Sequence, residues 1–302
     1  MAGGPHMPRG ERAVRRARPV VGVRRASGDR SPRRSRRREP RSDLSARVLA
    51  AIPAIAVALF LVIEGGLVFA VGMIVLGGVC MHELYGMYEH AHPVRLAGFV
   101  TLAGLVLAAL YGDQFQVLLV AVAAVPLLFG LTLLSPRPSV GGVAVTLLGI
   151  YWIGFAFAHA MLLRGLPQGK GIVIDVLVGT FLGDTGAYLG GRMFGSRPLA
   201  PHISPNKTVE GLVIGMFCAV FGVWIAHLYQ EQWLSGTHAL VLGLGIALLA
   251  PVGDLFESFV KREARIKDSG GLFGAHGGAL DRLDAVMFTV VVGYYVWFAY
   301  VG

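Results

Sequence analysis

Runs of about 17 to 25 apolar residues recur along this chain, and they constrain its fold more than any other feature. They fall at 46–63, 66–82, 96–111, 115–134, 140–163, 171–190, 208–229, 237–257 and 283–301. A helix rises about 1.5 Å per residue, so roughly 20 residues cross a hydrocarbon core about 30 Å thick. The pattern predicts an all-α fold, a polytopic transmembrane bundle of about nine spans. Gly72, Gly77, Gly78, Gly215, Gly243 and Gly245 lie within the runs and read as positions of close helix packing.

Charge is distributed unevenly along the chain. Residues 1–43 hold 14 Arg against Glu11, Asp29, Glu39 and Asp43, a net of +10, whereas 44–302 hold 13 basic and 14 acidic residues. The formal charge of +9 therefore belongs to the N-terminal segment and implies no specific nucleic-acid partner. That segment has too little apolar side chain to offset the entropy of ordering, so it reads as a disordered basic tail over 1–45. Such a tail is either a solvated, topology-setting arm or one drawn to anionic lipid head groups or RNA. Residues 46–302 form the membrane domain. Its first run starts too far along the chain for an ordinary cleaved signal peptide and is read as a retained span. Cys80 and Cys218 lie inside apolar runs and imply neither a disulfide framework nor a zinc site.

A cytoplasmic tail places alternate connections on its own side. Arg95, Arg137, Arg192, Arg197, Lys207, Lys261, Arg262, Arg265, Lys267 and Arg282 then face the cytoplasm, against Arg164 and Lys170 outside, which is the asymmetry expected of an inserted protein. The polar connections 191–207 and 258–282 emerge on that same side and can meet in one site, so residues 171–302 are the candidate catalytic part.

Asp254 and Glu257 close the eighth run, and Asp281 and Asp284 open the ninth. Each pair is spaced i, i+3, which sets both carboxylates on one helix face. A charge at the bilayer centre costs on the order of 2.5 to 3.5 kcal/mol unless it is compensated. A divalent cation would compensate these acids, and so would ion pairs with Lys261, Arg262, Lys267 and Arg282. Asp184 lies within the sixth run and is either a functional carboxylate or a packing hydrogen-bond partner. Asp175, Glu64 and Asp113 sit near run ends, where solvation accounts for them.

In HISPNKTVEG, Ser204, Lys207 and Thr208 precede a helix expected to start near Val209. Free N–H groups at that start, with Lys207 beside them, would suit a phosphate, although Thr208 also fits plain capping. The string GGLFGAHGG permits close backbone approach to a ligand, with His276 adding a polar ring. Neither a Walker lysine motif, a Ser-His-Asp order nor an HExxH helix occurs. A transporter with an intramembrane acid path should show inverted repeats and broken helices, and none is visible.

From Ser258 the string SFVKREARIKDSGGLFGAHGGALDRLD closely resembles the long signature of the phosphatidate cytidylyltransferase (CDP-diacylglycerol synthase) family. Ser258, Lys261, Arg262, Lys267, Asp268, His276, Gly277, Gly278, Asp281, Arg282 and Asp284 all stand at its fixed intervals. The preceding string DTGAYLGGRMFGSRPLAPHISPNKTVEG is similar to the segment before that signature. The resemblance implies transfer of CMP from CTP to phosphatidic acid in the lipid bilayer, giving CDP-diacylglycerol and pyrophosphate for phospholipid synthesis. It further implies a requirement for Mg2+, with room for a second, monovalent cation, and a homodimer in the cell membrane whose active site faces the cytoplasm. By the same resemblance Asp254, Asp281 and Asp284 are cation ligands and, with Lys267, catalytic. Ser204, Lys207, Thr208, Lys261, Arg262 and Lys267 would hold phosphates, and His276, Gly277 and Gly278 would shape the nucleotide pocket. Asp184 and Arg282 complete the substrate-binding set. Related enzymes that use CTP on another lipid share these demands.

Overall fold

Where apolar side chains surround the backbone no water competes for its N–H and C=O groups, and the apolar runs are helical throughout. The computed structural model describes residues 42–270 and 277–301, with side chains from residue 53 onward. Helices α1 (Ser42–Glu64), α2 (Gly66–Met87), α3 (Arg95–Tyr111) and α4 (Gln114–Leu133) come first. Helix α5 (Val140–Leu148), a π-helical stretch (Gly149–Gly154) and α6 (Phe155–Gly165) then run on without a break. Helices α7 (Gly169–Phe194), α8 (Val209–Gln230), α9 (Gly236–Glu263) and α10 (Leu280–Val301) complete the bundle. Among the described residues seven helical segments are long and apolar enough to cross a membrane, with Val140–Gly165 taken as one. Pro53–Glu64 and Arg95–Tyr111 are shorter apolar helices, so the expected nine is reached only to seven by this measure. Residues 1–41 of the Arg-rich tail, with their expected disorder, lie outside the described residues, whereas 42–45 belong to α1.

Polar side chains at the run ends stop the helices. Asp113 and Gln116 form a reciprocal capping box on α4, with Phe115 N donating to Asp113 Oδ1 at 2.7 Å and Asp113 N to Gln116 Oε1 at 2.8 Å. Ser139, Thr208 and Ser235 cap α5, α8 and α9. One departure from an all-helical chain is an antiparallel hairpin between α7 and α8, made by β1 (Pro198–Ala200) and β2 (Ser204–Thr208).

Asp175 corrects the sequence reading. Helix α7 begins at Gly169, so Asp175 lies inside the bundle rather than at a solvated end; it is only 2% exposed and accepts a 3.1 Å hydrogen bond from Gln230 Nε2. Glu64 and Asp113 are exposed, as expected. Most of the intrahelical glycines do meet neighbours, whereas Gly78 faces open space.

The packing that matters most for the site joins α9 to α10. At Gly253 an added Cβ would lie 2.6 Å from the Asp284 carbonyl oxygen and 2.9 Å from Phe288, so only glycine lets the two helices approach this closely. Helix α10 is fixed on another side by Thr180 Oγ1, which donates to Thr289 Oγ1 at 2.9 Å in the buried interior. Large apolar side chains such as Val71, Leu118 and Phe217 are exposed around the bundle, as befits a surface in contact with lipid. Gly253→Ala is therefore expected to push α10 away from α9 and to destabilise the protein by about 1–3 kcal/mol. Thermal unfolding in detergent checks this, and an unchanged midpoint would contradict it.

Candidate active site

Helix α9 ends, and α10 begins, at the same end of the bundle, so the two carboxylate pairs meet in two tiers. Glu257 and Asp281 form the tier nearer the connecting loop, and Asp254 and Asp284 lie one helical turn further in.

The near tier is closed by Lys261. Its ammonium lies 2.6 Å from Glu257 Oε2 and 2.8 Å from Asp281 Oδ1. Asp281 also accepts from Ser269 N at 3.0 Å and from Gly278 N at 2.7 Å. Gly277 has a φ of +81° and a Cβ there would lie 2.5 Å from Asp281 Oδ2, so the backbone reaches the carboxylate only because this residue is glycine. Glu257 is 1% exposed, a burial that needs the lysine charge beside it.

The deep tier is open and acidic. Asp254 Oδ2 pairs with Lys207 Nζ at 2.5 Å. Asp284 lies within electrostatic reach of Asp254, Asp184 and Lys261, and Asp184 within reach of Asp254 and Lys207. Asp184 is exposed on α7, so α7, α9, α10 and the hairpin each contribute to one cleft. Three carboxylates there face Lys207 and the more distant Lys261.

Lys207 owes its position to the hairpin, which Glu210 of α8 holds down. Glu210 accepts from Ser196 N at 3.1 Å, Ser196 Oγ at 2.8 Å, Arg197 N at 3.2 Å and Arg197 Nε at 2.9 Å. Thr208 Oγ1 accepts from Gly211 N at 3.1 Å, which is the capping role, and Ser204 opens β2. Arg262 Nε donates to Ile203 O at 3.3 Å, so the connections 191–207 and 258–282 do meet at one end of the bundle. Lys267 and Arg282 are exposed beside them. Of the expected phosphate ligands, Thr208 and Lys261 are thus engaged in capping and in the near-tier ion pairs, while Lys207, paired with Asp254, reaches the open cleft. His276 lies outside the described residues.

Sequence reasoning missed Glu83. The second run ends at residue 82, which leaves this acid in a connection, yet it is buried within α2 and accepts hydrogen bonds from Ser269 Oγ, Ala279 N and Leu280 N. A charged residue abutting an apolar run was the available signal.

Among the described residues no group of three or more His, Cys, Asp or Glu side chains is gathered as a ready cation cage. Mg2+ does not require one: it takes one or two carboxylates and completes its shell with water and substrate phosphate. The hard oxygens of Asp254 and Asp284 fit that chemistry. Asp281, whose oxygens already accept from Lys261 and two backbone amides, is less available.

The near tier makes a clear expectation. Lys261→Met leaves Glu257 and Asp281 buried without a counter-charge and should destabilise the protein by about 3–5 kcal/mol. Adding Glu257→Gln to that variant should recover part of the loss. Unfolding midpoints of the two variants against wild type check this, and a single variant as stable as wild type would refute it.

Residues 45–300 match the family model described as the cytidylyltransferase family. The chain is 33% identical over 269 residues to the phosphatidate cytidylyltransferase of Bacillus subtilis (strain 168), covering 84% of this chain and 97% of that protein. It is 34% identical over 256 residues to the phosphatidate cytidylyltransferase of Staphylococcus aureus (strain COL), covering 82% and 96%. With a match across almost all of the membrane domain, and with the acids and lysines of its signature gathered at one end of the bundle, the chain belongs to the cytidylyltransferase family.

Proposed function

We infer that this protein transfers CMP from CTP to phosphatidate, giving CDP-diacylglycerol and pyrophosphate. The observation that carries the reading is the near full-length match to relatives bearing that name, on a multi-pass helical protein whose polar groups converge in one cleft.

In this reaction a phosphate oxygen of phosphatidate forms a bond to the α-phosphorus of CTP. The bond from that phosphorus to the bridging oxygen of the β-phosphate breaks, and pyrophosphate leaves with the electron pair. The protein has to align phosphates and balance their charge rather than supply a strong base. Lys207 is the cation best placed to do this, because the hairpin delivers its ammonium into the cleft. Arg262, Lys267 and Arg282 line the exposed rim and favour approach of the anionic nucleotide. Asp254 and Asp284 would hold Mg2+, which when bound neutralises phosphate charge and polarises the phosphoryl oxygens. A monovalent cation near Asp184 would share the same acidic cleft. The lipid phosphate enters from the bilayer between the helices. The cell membrane, with tail and cleft facing the cytoplasm, is the location supported by the excess of Arg and Lys at this end of the bundle. A homodimer rests on the family resemblance alone.

Purified full-length protein in detergent should release pyrophosphate from CTP only when phosphatidate and Mg2+ are both present. Release independent of phosphatidate, or none at all, would overturn the reading. Lys207→Gln keeps a similar length and hydrogen-bonding capacity and removes the charge, so kcat should fall by roughly 10²-fold, as on losing one oxyanion donor, with a smaller change in either KM. A stable variant with wild-type constants would return Lys207 to a structural role.

A further inference from the structure

We propose that Glu83 is a positioning residue for this reaction: from α2 it holds the first turn of α10 and the Ser269 turn in the register that sets Asp284 beside Asp254. The proposal rests on the reaction inferred above. A helix leaves its first N–H groups without partners inside the helix, and these are commonly met by a Ser, Thr, Asp or Asn just before it. Helix α10 lacks such a residue, because Gly277, Gly278 and Ala279 precede Leu280. Glu83 supplies the cap from elsewhere in the chain. Ala279 N donates to its Oε1 at 3.0 Å and Leu280 N to its Oε2 at 2.9 Å. Ser269 Oγ donates to Oε2 at 3.1 Å, so one carboxylate ties the Ser269 turn to the start of α10.

The glycines of the loop fit this carboxylate. A Cβ at Gly270 would lie 2.6 Å from Glu83 Oε1, and one at Gly278 would collide with Glu83 Oε2 and Ser269 Oγ. Gly278 therefore serves backbone approach to Glu83. With 8% exposure, Glu83 is a desolvated carboxylate whose charge is met by these three donors, an arrangement in which charge-assisted bonds are strong. Glutamine cannot replace it: one oxygen remains to accept, and the NH2 group turns toward donors.

The clamp bears on catalysis because Asp281 follows Leu280 directly and Asp284 lies one turn further on. A shift of the first turn of α10 moves both acids relative to α9. Displacements of about 1 Å in a reacting constellation can cost 10²-fold in rate.

The test uses full-length protein in detergent, as wild type, Glu83→Gln, Ser269→Ala and the double variant. Amide hydrogen exchange is followed in the peptide containing Ala279 and Leu280, and kcat and KM for CTP are taken from pyrophosphate release. In Glu83→Gln exchange at those amides should quicken by about ten-fold or more. Its kcat should fall by about 10- to 100-fold while KM for CTP stays within about threefold. Ser269→Ala, which keeps both amide bonds, should lose less kcat, and the double variant should be no slower than Glu83→Gln alone. Wild-type kcat in folded Glu83→Gln overturns the proposal even if exchange quickens, since the clamp would then be only structural. Should Glu83→Gln fail to fold, Ser269→Ala decides: reduced kcat at unchanged KM supports positioning, and wild-type kcat overturns it. The exchange measurement reads the clamp whether or not CTP is the substrate, whereas pyrophosphate release by wild type reads the reaction, so the two cannot fail indistinguishably.

Discussion

One ammonium makes the acidic end of this bundle possible. Lys261 Nζ sits 2.6 Å from Glu257 and 2.8 Å from Asp281, linking the last turns of α9 to the first turn of α10. Buried ion pairs are poor contributors to stability compared with apolar packing, but removing one member leaves a stranded charge at a cost of about 3–5 kcal/mol. Glu257 and Asp281 are thus tolerable next to hydrocarbon only together with Lys261, and their pairing fixes how α9 and α10 register. That register is reinforced by the close approach at Gly253 and by backbone amides of Ser269 and Gly278 on Asp281.

With the two near-tier carboxylates bound to one shared ammonium and to backbone amides, the turn beyond carries the acids that lack such partners. Asp184, Asp254 and Asp284 come from three different helices and share the cleft with Lys207, which arrives on a hairpin pinned by Glu210. Acids held together without full compensation are costly to the folded protein, and such a cost is expected where a cation and phosphates are to bind. The near tier holds the helices, and the deep tier meets the ligands.

Helix positions were legible because apolar runs and their polar ends carry local information. The start of α8 at Val209 and its Thr208 cap follow from neighbouring residues alone. The i, i+3 spacing placed each acid pair on one helix face, yet it could not show that the pairs divide by depth. That division depends on the antiparallel register of α9 and α10, which Gly253 and Lys261 set through contacts distant in sequence. Glu83 stood out only as a charge abutting an apolar run; its role was not legible, since its partners lie 186 to 197 residues away. Asp175 was misjudged because the end of a hydropathy run is not the end of a helix: α7 starts at Gly169 and carries the residue into the interior. The hairpin escaped notice because β2 is polar and short, without the alternation that marks a longer strand.

The division into tiers is tested most directly by thermal unfolding of full-length Asp281→Asn and Asp284→Asn, measured side by side without substrate or divalent cation. The two residues lie one turn apart on the same helix, and each variant replaces one carboxyl group with an amide. Asp281 is balanced by Lys261 and two backbone amides, so its neutralisation should lower the midpoint. Asp284 stands among like charges, so its neutralisation should leave the midpoint unchanged or raise it. A fall of similar size in both variants, or stability retained in Asp281→Asn, would contradict the account.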